Sequence, residues 1–459
     1  MHTLLKPQKT QNTLTELHKI YKKTPLHNQM TKKPIPIISP TYKEISGEDP
    51  HKGTLQLERW KNYPKQDIIK RYPLQLDLET TSACNLRCPM CFQSETETRP
   101  EVQNMSFELY SHIITEGAAK GLDSIKLQYR GEPLLTTDLP ERVRFATERG
   151  IQVRFNTNGT LLTKQLAENL IDAGLYQIIF SIDSHIPEEY NKIRRLAKTG
   201  KGDFNSVLKN FRQLVELRNE RGTTYPQIRV TRVDLPETRT NLPKFSNFWM
   251  ENGADLVSVV ELSDFSMGTT DTKMIVSPEF SCEQPWQRLI VLADGQVGPC
   301  CRDHYQELTL AQISTPEQIA SYSSMLTKKA GKKQVGDLVE VDILDKPKLK
   351  KVVIGTKERD GSVTPHSVKI KGITESISTV PLVSNIEEVW NGKTIEWLRE
   401  MNRTGNTHLV QICLNCDLRR TTIEKNKLES RLEDIPESIK SKAMHATKYT
   451  KGGLGDSQS

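Results

Sequence analysis

Between residues 72 and 265 the chain repeats one unit: an apolar, β-rich run, a stretch with helical spacing, a glycine, and the next run. Six runs fit this grammar, Leu74–Thr80, Ser124–Arg130, Ile151–Asn156, Gln177–Ile182, Ile228–Val233 and Asp255–Leu262. Most lack clean polar alternation, the pattern of parallel strands covered on both faces. Gly121, Gly150, Gly174, Gly222 and Gly253 precede runs two to six, where a helix must stop in a left-handed cap. Thr163 caps one helix, with Leu166, Leu170 and Ile171 at helical spacing, and Val207–Arg218 is a second helical run. The pattern predicts an α/β fold with a parallel sheet, doubly wound or curled into a partial barrel, and places function at the carboxyl ends of its strands.

At 459 residues the chain has room for two or three domains. Beyond residue 265 the grammar changes. Residues 266–307 and 382–420 read as a compact second domain, split by an insertion at 308–381. That insertion has a Lys-rich stretch at Lys328–Lys333 and alternating runs at Asp337–Leu344, Lys350–Ile354 and Ser367–Ile373, which predict antiparallel strands. Charge separates the ends from the body. Residues 1–71 hold 14 basic and 6 acidic residues, and the remainder 50 and 51. The excess therefore belongs to a basic amino-terminal arm, expected to be partly disordered. It lacks an arginine cluster or stacking aromatics, so nucleic acid is not the expected partner. The charged tail at 421–459 is expected to be partly disordered as well. No run approaches the ~20 apolar residues of a membrane span, and MHTLLKPQKT has no signal-peptide pattern. A cytoplasmic location is expected.

The eight cysteines are Cys84, Cys88, Cys91, Cys282, Cys300, Cys301, Cys413 and Cys416. A disulfide framework belongs to small chains in oxidising compartments, so metal or redox chemistry is the better reading. Cys84, Cys88 and Cys91 share the loop after the first run, spaced C-x3-C-x2-C. Three thiolates that close can face one cubane iron–sulfur cluster and leave one iron open. A structural zinc knuckle would need a fourth ligand, and none lies in the next 15 residues.

This cysteine loop resembles the signature of the radical S-adenosylmethionine (SAM) enzymes. RGEPLL (Arg130–Leu135), FNTNGTLL (Phe155–Leu162) and SIDSH (Ser181–His185) are similar to family segments at the ends of strands two, three and four. The resemblance spans roughly residues 74–265 and implies a partial (β/α)6 TIM-like barrel. It implies a SAM-binding 4Fe–4S cluster on Cys84, Cys88 and Cys91. Gly131 and Glu132 would meet the SAM amino group, Ser181 and Arg194 its carboxylate, and Asn158 and Asp183 would line the same pocket. Met90 stands where the family carries an aromatic residue whose backbone faces adenine, and Arg130 replaces the first glycine of GGEP.

Cys282 and Cys300 flank a strand–turn–strand with Asp294–Gly295 at the turn, and Cys413 and Cys416 form a C-x2-C pair. A four-cysteine zinc site is the rival here, although zinc ribbons normally pair two close-spaced knuckles. The segment resembles the twitch domain, the short form of the SPASM extension of radical SAM enzymes. That resemblance implies an α+β domain with one auxiliary 4Fe–4S cluster on Cys282, Cys300, Cys413 and Cys416. Cys301 is left over and reads as a small buried hydrophobe.

The family reaction cleaves SAM reductively to a 5′-deoxyadenosyl radical that takes a hydrogen from substrate. With an auxiliary cluster to accept an electron, the implied outcome is oxidation of a small polyol, sugar or nucleotide-sugar. The alternatives are a peptide- or protein-modifying maturase and a redox-neutral epimerase or bond-forming enzyme. A flavodoxin- or ferredoxin-type electron donor is implied. Arg232, Glu261 and Tyr129, near strand ends, are the candidates to accept or shuttle the proton.

Overall fold

The computed structural model describes residues 37–38, 42–47, 55–235, 238, 241–260, 281–371, 377–414 and 416. After a two-residue strand at Ile37–Ile38 come strand β1 (Tyr42–Gly47) and helix α1 (Leu55–Lys65). Both fall within the basic segment read as an arm. The six repeating units follow as β2 (Gln75–Leu78), α2 (Phe107–Lys120), β3 (Ser124–Lys126), α3 (Leu139–Thr147), β4 (Gln152–Thr157), α4 (Lys164–Asp172), β5 (Gln177–Ser181), α5 (Pro187–Ile193), α6 (Phe204–Glu220), β6 (Gln227–Val233), α7 (Leu242–Glu251) and β7 (Leu256–Val260). All pairings from β2 to β7 are parallel.

The local signals do what their chemistry predicts. The Ser106 and Thr163 hydroxyls accept from the Leu109 and Leu166 amides and start α2 and α4. The five glycines between units all have positive φ, from 61° to 97°. The second predicted run, however, stops at Lys126 instead of Arg130. Tyr129, Arg130 and Gly131 leave the sheet to make tertiary contacts, described below.

The sheet is open. Beyond β7 lies β1, antiparallel to it, and beyond β2 lies β8 (Arg288–Val291), parallel to it. β9 (Gln296–Gly298) and β10 (Ala311–Ile313) continue antiparallel. The insertion then adds helix α8 (Pro316–Ala330) and the meander β11 (Leu338–Lys346), β12 (Leu349–Lys357), β13 (Val363–Lys371) and β14 (Ile377–Val383). β14 returns to pair in parallel with β10. The result is one 14-stranded sheet, with a partial barrel at its centre. α8 and β14 were not foreseen, although Thr315-Pro316 followed by Gln318 forms a capping box.

Two larger cores sit under this sheet, beside a small cluster of Tyr129, Ile290 and Leu292. The main one joins barrel residues such as Leu76, Phe155 and Val230 to Leu289, Val297 and Trp390 of the second cysteine region. Helix α9 (Lys393–Arg403) contributes Ile395 and Leu398 to the same core. The insertion has its own, built on Leu326, Val339, Val353, Val363, Val368 and Val380. Among the described residues no helix is long and apolar enough to cross a membrane.

Candidate functional site

The loop carrying Cys84, Cys88 and Cys91 is stitched to several strand ends. The Glu132 amide donates to Ala83 O (2.8 Å), and Gln93 Nε2 donates to Ser82 O (3.2 Å) and Arg130 O (2.9 Å). Asn158 Nδ2 donates to Asn85 Oδ1 at 2.9 Å, and Asn85 Nδ2 donates to Thr160 Oγ1 at 2.8 Å. Arg87 N donates to Arg195 O, and Ala197 N to Asn85 O. A tight turn brings Cys91 N to 2.9 Å from Cys88 O, and Met90 sits in it, partly exposed. The three thiols sense one another electrostatically, and burial pushes Cys84 up to about 12. Among the described residues no three His, Cys, Asp or Glu close around a single ion.

Glu132 stands under this loop, buried. Its carboxylate accepts from the Asn158 amide (2.8 Å), the Thr157 hydroxyl (2.6 Å) and the Leu134 amide (3.1 Å). Burial nevertheless raises it to about 7. A carboxylate has about four acceptor positions, so one remains for an ammonium group. Gly131 permits the approach: a Cβ there would lie 2.1 Å from Thr81 O and 2.7 Å from Ala83 O. Asp183, fully buried, accepts from Arg194 Nε at 2.5 Å and from the Val233 amide at 2.9 Å. Burial opposes the Arg194 charge, but Asp183 and Cys88 together hold its pKa above the usual range. Arg194 Nη1 lies 4.0 Å from Cys88 Sγ. Ser181 ends β5, partly buried. Tyr190 is fully buried, and its hydroxyl lacks a hydrogen-bond partner among the described residues. Thiols, a buried carboxylate, a guanidinium and an orphaned hydroxyl suit a cluster with a zwitterionic ligand.

The second group assembles from distant segments. Cys282 N donates to Asn402 Oδ1 of α9 at 2.7 Å. Cys300 follows β9, and its Sγ accepts from Arg302 N at 3.3 Å. The Asp294–Gly295 turn is present, with Gly295 at φ 84°. A Cβ on Gly295 would lie 2.4 Å from Ile313 O. Cys282 is within electrostatic reach of Cys416 and Cys301, and Cys300 of Cys301, Cys282 and Cys416. The thiols of Cys300 and Cys301 share a hydrogen bond. Cys301 also packs on Tyr129, Ile290 and Leu292, while Cys413 is half-buried against the main core.

Of the proton-transfer candidates, Glu261 lies outside the described residues. Arg232 packs over Phe245 of α7 (5.1 Å) and donates to Thr238 Oγ1 at 2.8 Å. Tyr129 lies beside the second cysteine loop, and burial raises its phenol well above the usual value. Periodicity and motif reading overlooked His304, which stacks on both Phe92 (5.0 Å, 19°) and Tyr129 (5.4 Å, 18°). They also overlooked Glu79, which pairs bidentately with Arg130 at 2.6 and 2.8 Å. No local spacing marks either residue.

Comparison with known proteins locates the match. A tungsten-containing aldehyde ferredoxin oxidoreductase cofactor-modifying protein of Pyrococcus furiosus is 32% identical over 190 residues, 41% of this chain and 51% of that protein. A probable GTP 3',8-cyclase of Methanococcus maripaludis is 31% identical over 197 residues, 43% of this chain and 61% of that one. The chain therefore spans about half to three-fifths of these relatives. The solved structure of BtrN in complex with AdoMet and 2-DOIA aligns with a TM-score of 0.40 and 17% identity, over 75% of this chain and 92% of its own. Residues 78–239, which hold the cysteine loop, Glu132, Asp183 and Arg194, match the model of the Radical SAM superfamily.

Proposed function

We propose that the chain is a radical SAM oxidoreductase that removes two electrons and two hydrogens from a small polyol, sugar or nucleotide-sugar. Cys84, Cys88 and Cys91 would hold a 4Fe–4S cluster, which would supply the electron for reductive cleavage of SAM. Glu132 binds the SAM ammonium, Arg194 held by Asp183 meets the carboxylate, and Gly131 lets the backbone beside Glu132 close on the cysteine loop. One substrate hydrogen leaves as an atom, forming 5′-deoxyadenosine, and the other as a proton. Cys282, Cys300, Cys413 and Cys416 would hold an auxiliary 4Fe–4S cluster of the twitch type, which would offer an acceptor for the remaining electron. A flavodoxin- or ferredoxin-type donor supplies the priming electron.

The observation that carries this reading is the parallel pairing of β8 with β2, which sets both cysteine regions on adjoining strands of one sheet. The relatives' names cover a cyclase and a cofactor-modifying protein, so the reaction type rests on the second cysteine group.

Anaerobic iron and sulfide analysis tests the proposal, comparing the reconstituted protein with a Cys84/Cys88/Cys91→Ala variant. About eight irons falling to about four in the variant is expected, with 5′-deoxyadenosine formed by the wild type alone. A variant without iron, or with zinc, removes the electron acceptor and leaves a redox-neutral radical reaction.

A further inference from the structure

We propose that His304 is a positioning residue that keys the second cysteine loop to the SAM-binding loop and thereby tightens SAM binding. The imidazole lies between two rings whose neighbours belong to the SAM site. Phe92 directly follows Cys91, and Tyr129 is two residues before Gly131. Both stacks are near-parallel, with centroids at 5.0 and 5.4 Å, and Tyr305 adds an edge contact to Phe92 at 5.8 Å. The backbone repeats the connection: Arg130 Nη1 reaches His304 O at 3.5 Å while Arg130 O accepts from Gln93.

Phe92 and Tyr129, which flank the SAM site, thus stack on one side chain from the loop of Cys300, and Arg130 reaches the same residue's carbonyl. Burial, with Arg302, Arg130 and Lys126 nearby, lowers the imidazole to about 3. It is therefore a neutral ring at working pH, as a stacking role requires. Two sites joined by such a contact are coupled, and the coupling is reciprocal: order at one loop favours ligand at the other.

The experiment measures equilibrium SAM binding, without reductant and so without turnover, in anaerobically loaded wild type, His304→Ala and His304→Phe. Iron content is determined on each. His304→Ala is expected to bind SAM about fivefold more weakly, the factor one aromatic stack provides. His304→Phe, which keeps the ring but not its nitrogens, is expected to return to within about twofold of wild type. Wild-type affinity in His304→Ala overturns the inference whether or not second-site iron is retained. Equal weakening in the Phe variant overturns it too, because a lost stack cannot then be the cause. Only a third arm rests on the auxiliary-cluster reading. A Cys300→Ser/Cys416→Ser variant that keeps the first cluster is expected to weaken SAM binding as His304→Ala does, and wild-type binding there overturns the reciprocal coupling. If wild type itself holds only about four irons, the two-cluster reading fails while the two His304 variants still decide the role of the stack.

Discussion

The barrel and the second cysteine region both present thiols at one sheet, but they are assembled differently. In the barrel, the three cysteines lie within eight residues, and their supports sit on successive strand ends. In the second region, Cys282 and Cys300 are brought to Cys416 by β8, β9 and α9, across more than a hundred residues of chain. The insertion between them is different again. It folds on a core of its own and returns through β14 to the strand next to its point of departure. The second cysteine region, with Leu310, Ala311 and Ile313, shares the barrel core, whereas α8 and β11–β13 pack on their own, so one is an extension of the barrel and the other a module upon it.

The most severe way to break that comparison is the Cys84/Cys88/Cys91→Ala variant. Its 5′-deoxyadenosine should fall to background while the second region keeps its iron. Core truncations come next. Leu289→Ala in the shared core and Leu326→Ala in the insertion should each cost about 2–5 kcal/mol. Hydrogen exchange should show the first loosening β2 and β8 together, and the second loosening α8 and β11–β13 alone.

Gly131→Ala forces a Cβ to 2.1 Å from Thr81 O. An overpacking cost of roughly 1–3 kcal/mol, if borne by the SAM-bound form, should lower SAM affinity about 5- to 150-fold, read by equilibrium dialysis. The second region should be unaffected, and loss of its iron would contradict this division.

pH separates the regions more gently. The carboxyl of Glu132, raised to about 7, must ionise to hold an ammonium. SAM affinity should therefore fall roughly tenfold for each pH unit below 7 and fall again above about 8 as the amino group of SAM deprotonates. Without SAM the sign for stability is the opposite. The folded state keeps this proton where the unfolded chain has lost it, so its contribution to stability declines from the usual carboxylate range up to about pH 7. Glu132→Gln should remove the acid limb of the binding profile.

The smallest effect concerns the insertion's attachment. Lys348 Nζ reaches Thr96 O, Arg99 O (3.3 Å) and Glu97 O (3.5 Å) on the loop after Cys91. Lys351 is 3% exposed and donates to Gln312 Oε1 at 2.6 Å and Asp294 O at 2.9 Å. Lys348→Ala should cost less than about 1 kcal/mol, seen as faster amide exchange at 96–102. A larger effect confined to the cysteine loop would make the insertion part of the SAM site.

Much of the barrel was legible because its determinants are local. A Thr163 cap, a glycine at each helix end and an apolar run each act within a few residues, and most appear where the spacing places them. The cysteine loop and Glu132 were legible for the same reason, since a short segment carries their chemistry. His304, Glu79 and Asn402 were not, because an ordinary His, Glu or Asn acquires its role from a partner far along the chain. The run through Arg130 shows the limit inside one element. Its residues favour a strand, yet the Arg130–Glu79 pair and the Tyr129 stack take the backbone out of the sheet after Lys126.

By itself, then, the sequence determined the strand–helix order of the barrel, the cysteine spacing and the residues available to hold an amino acid zwitterion. Those follow from propensity, capping and side-chain chemistry, which are properties of neighbours in the chain. Only the tertiary structure decided that β8 joins β2, that Cys416 comes within electrostatic reach of Cys282 and Cys300, and that His304 stacks between the two loops. These contacts depend on the long-range packing of one shared core, and its apolar residues could be counted beforehand but not paired.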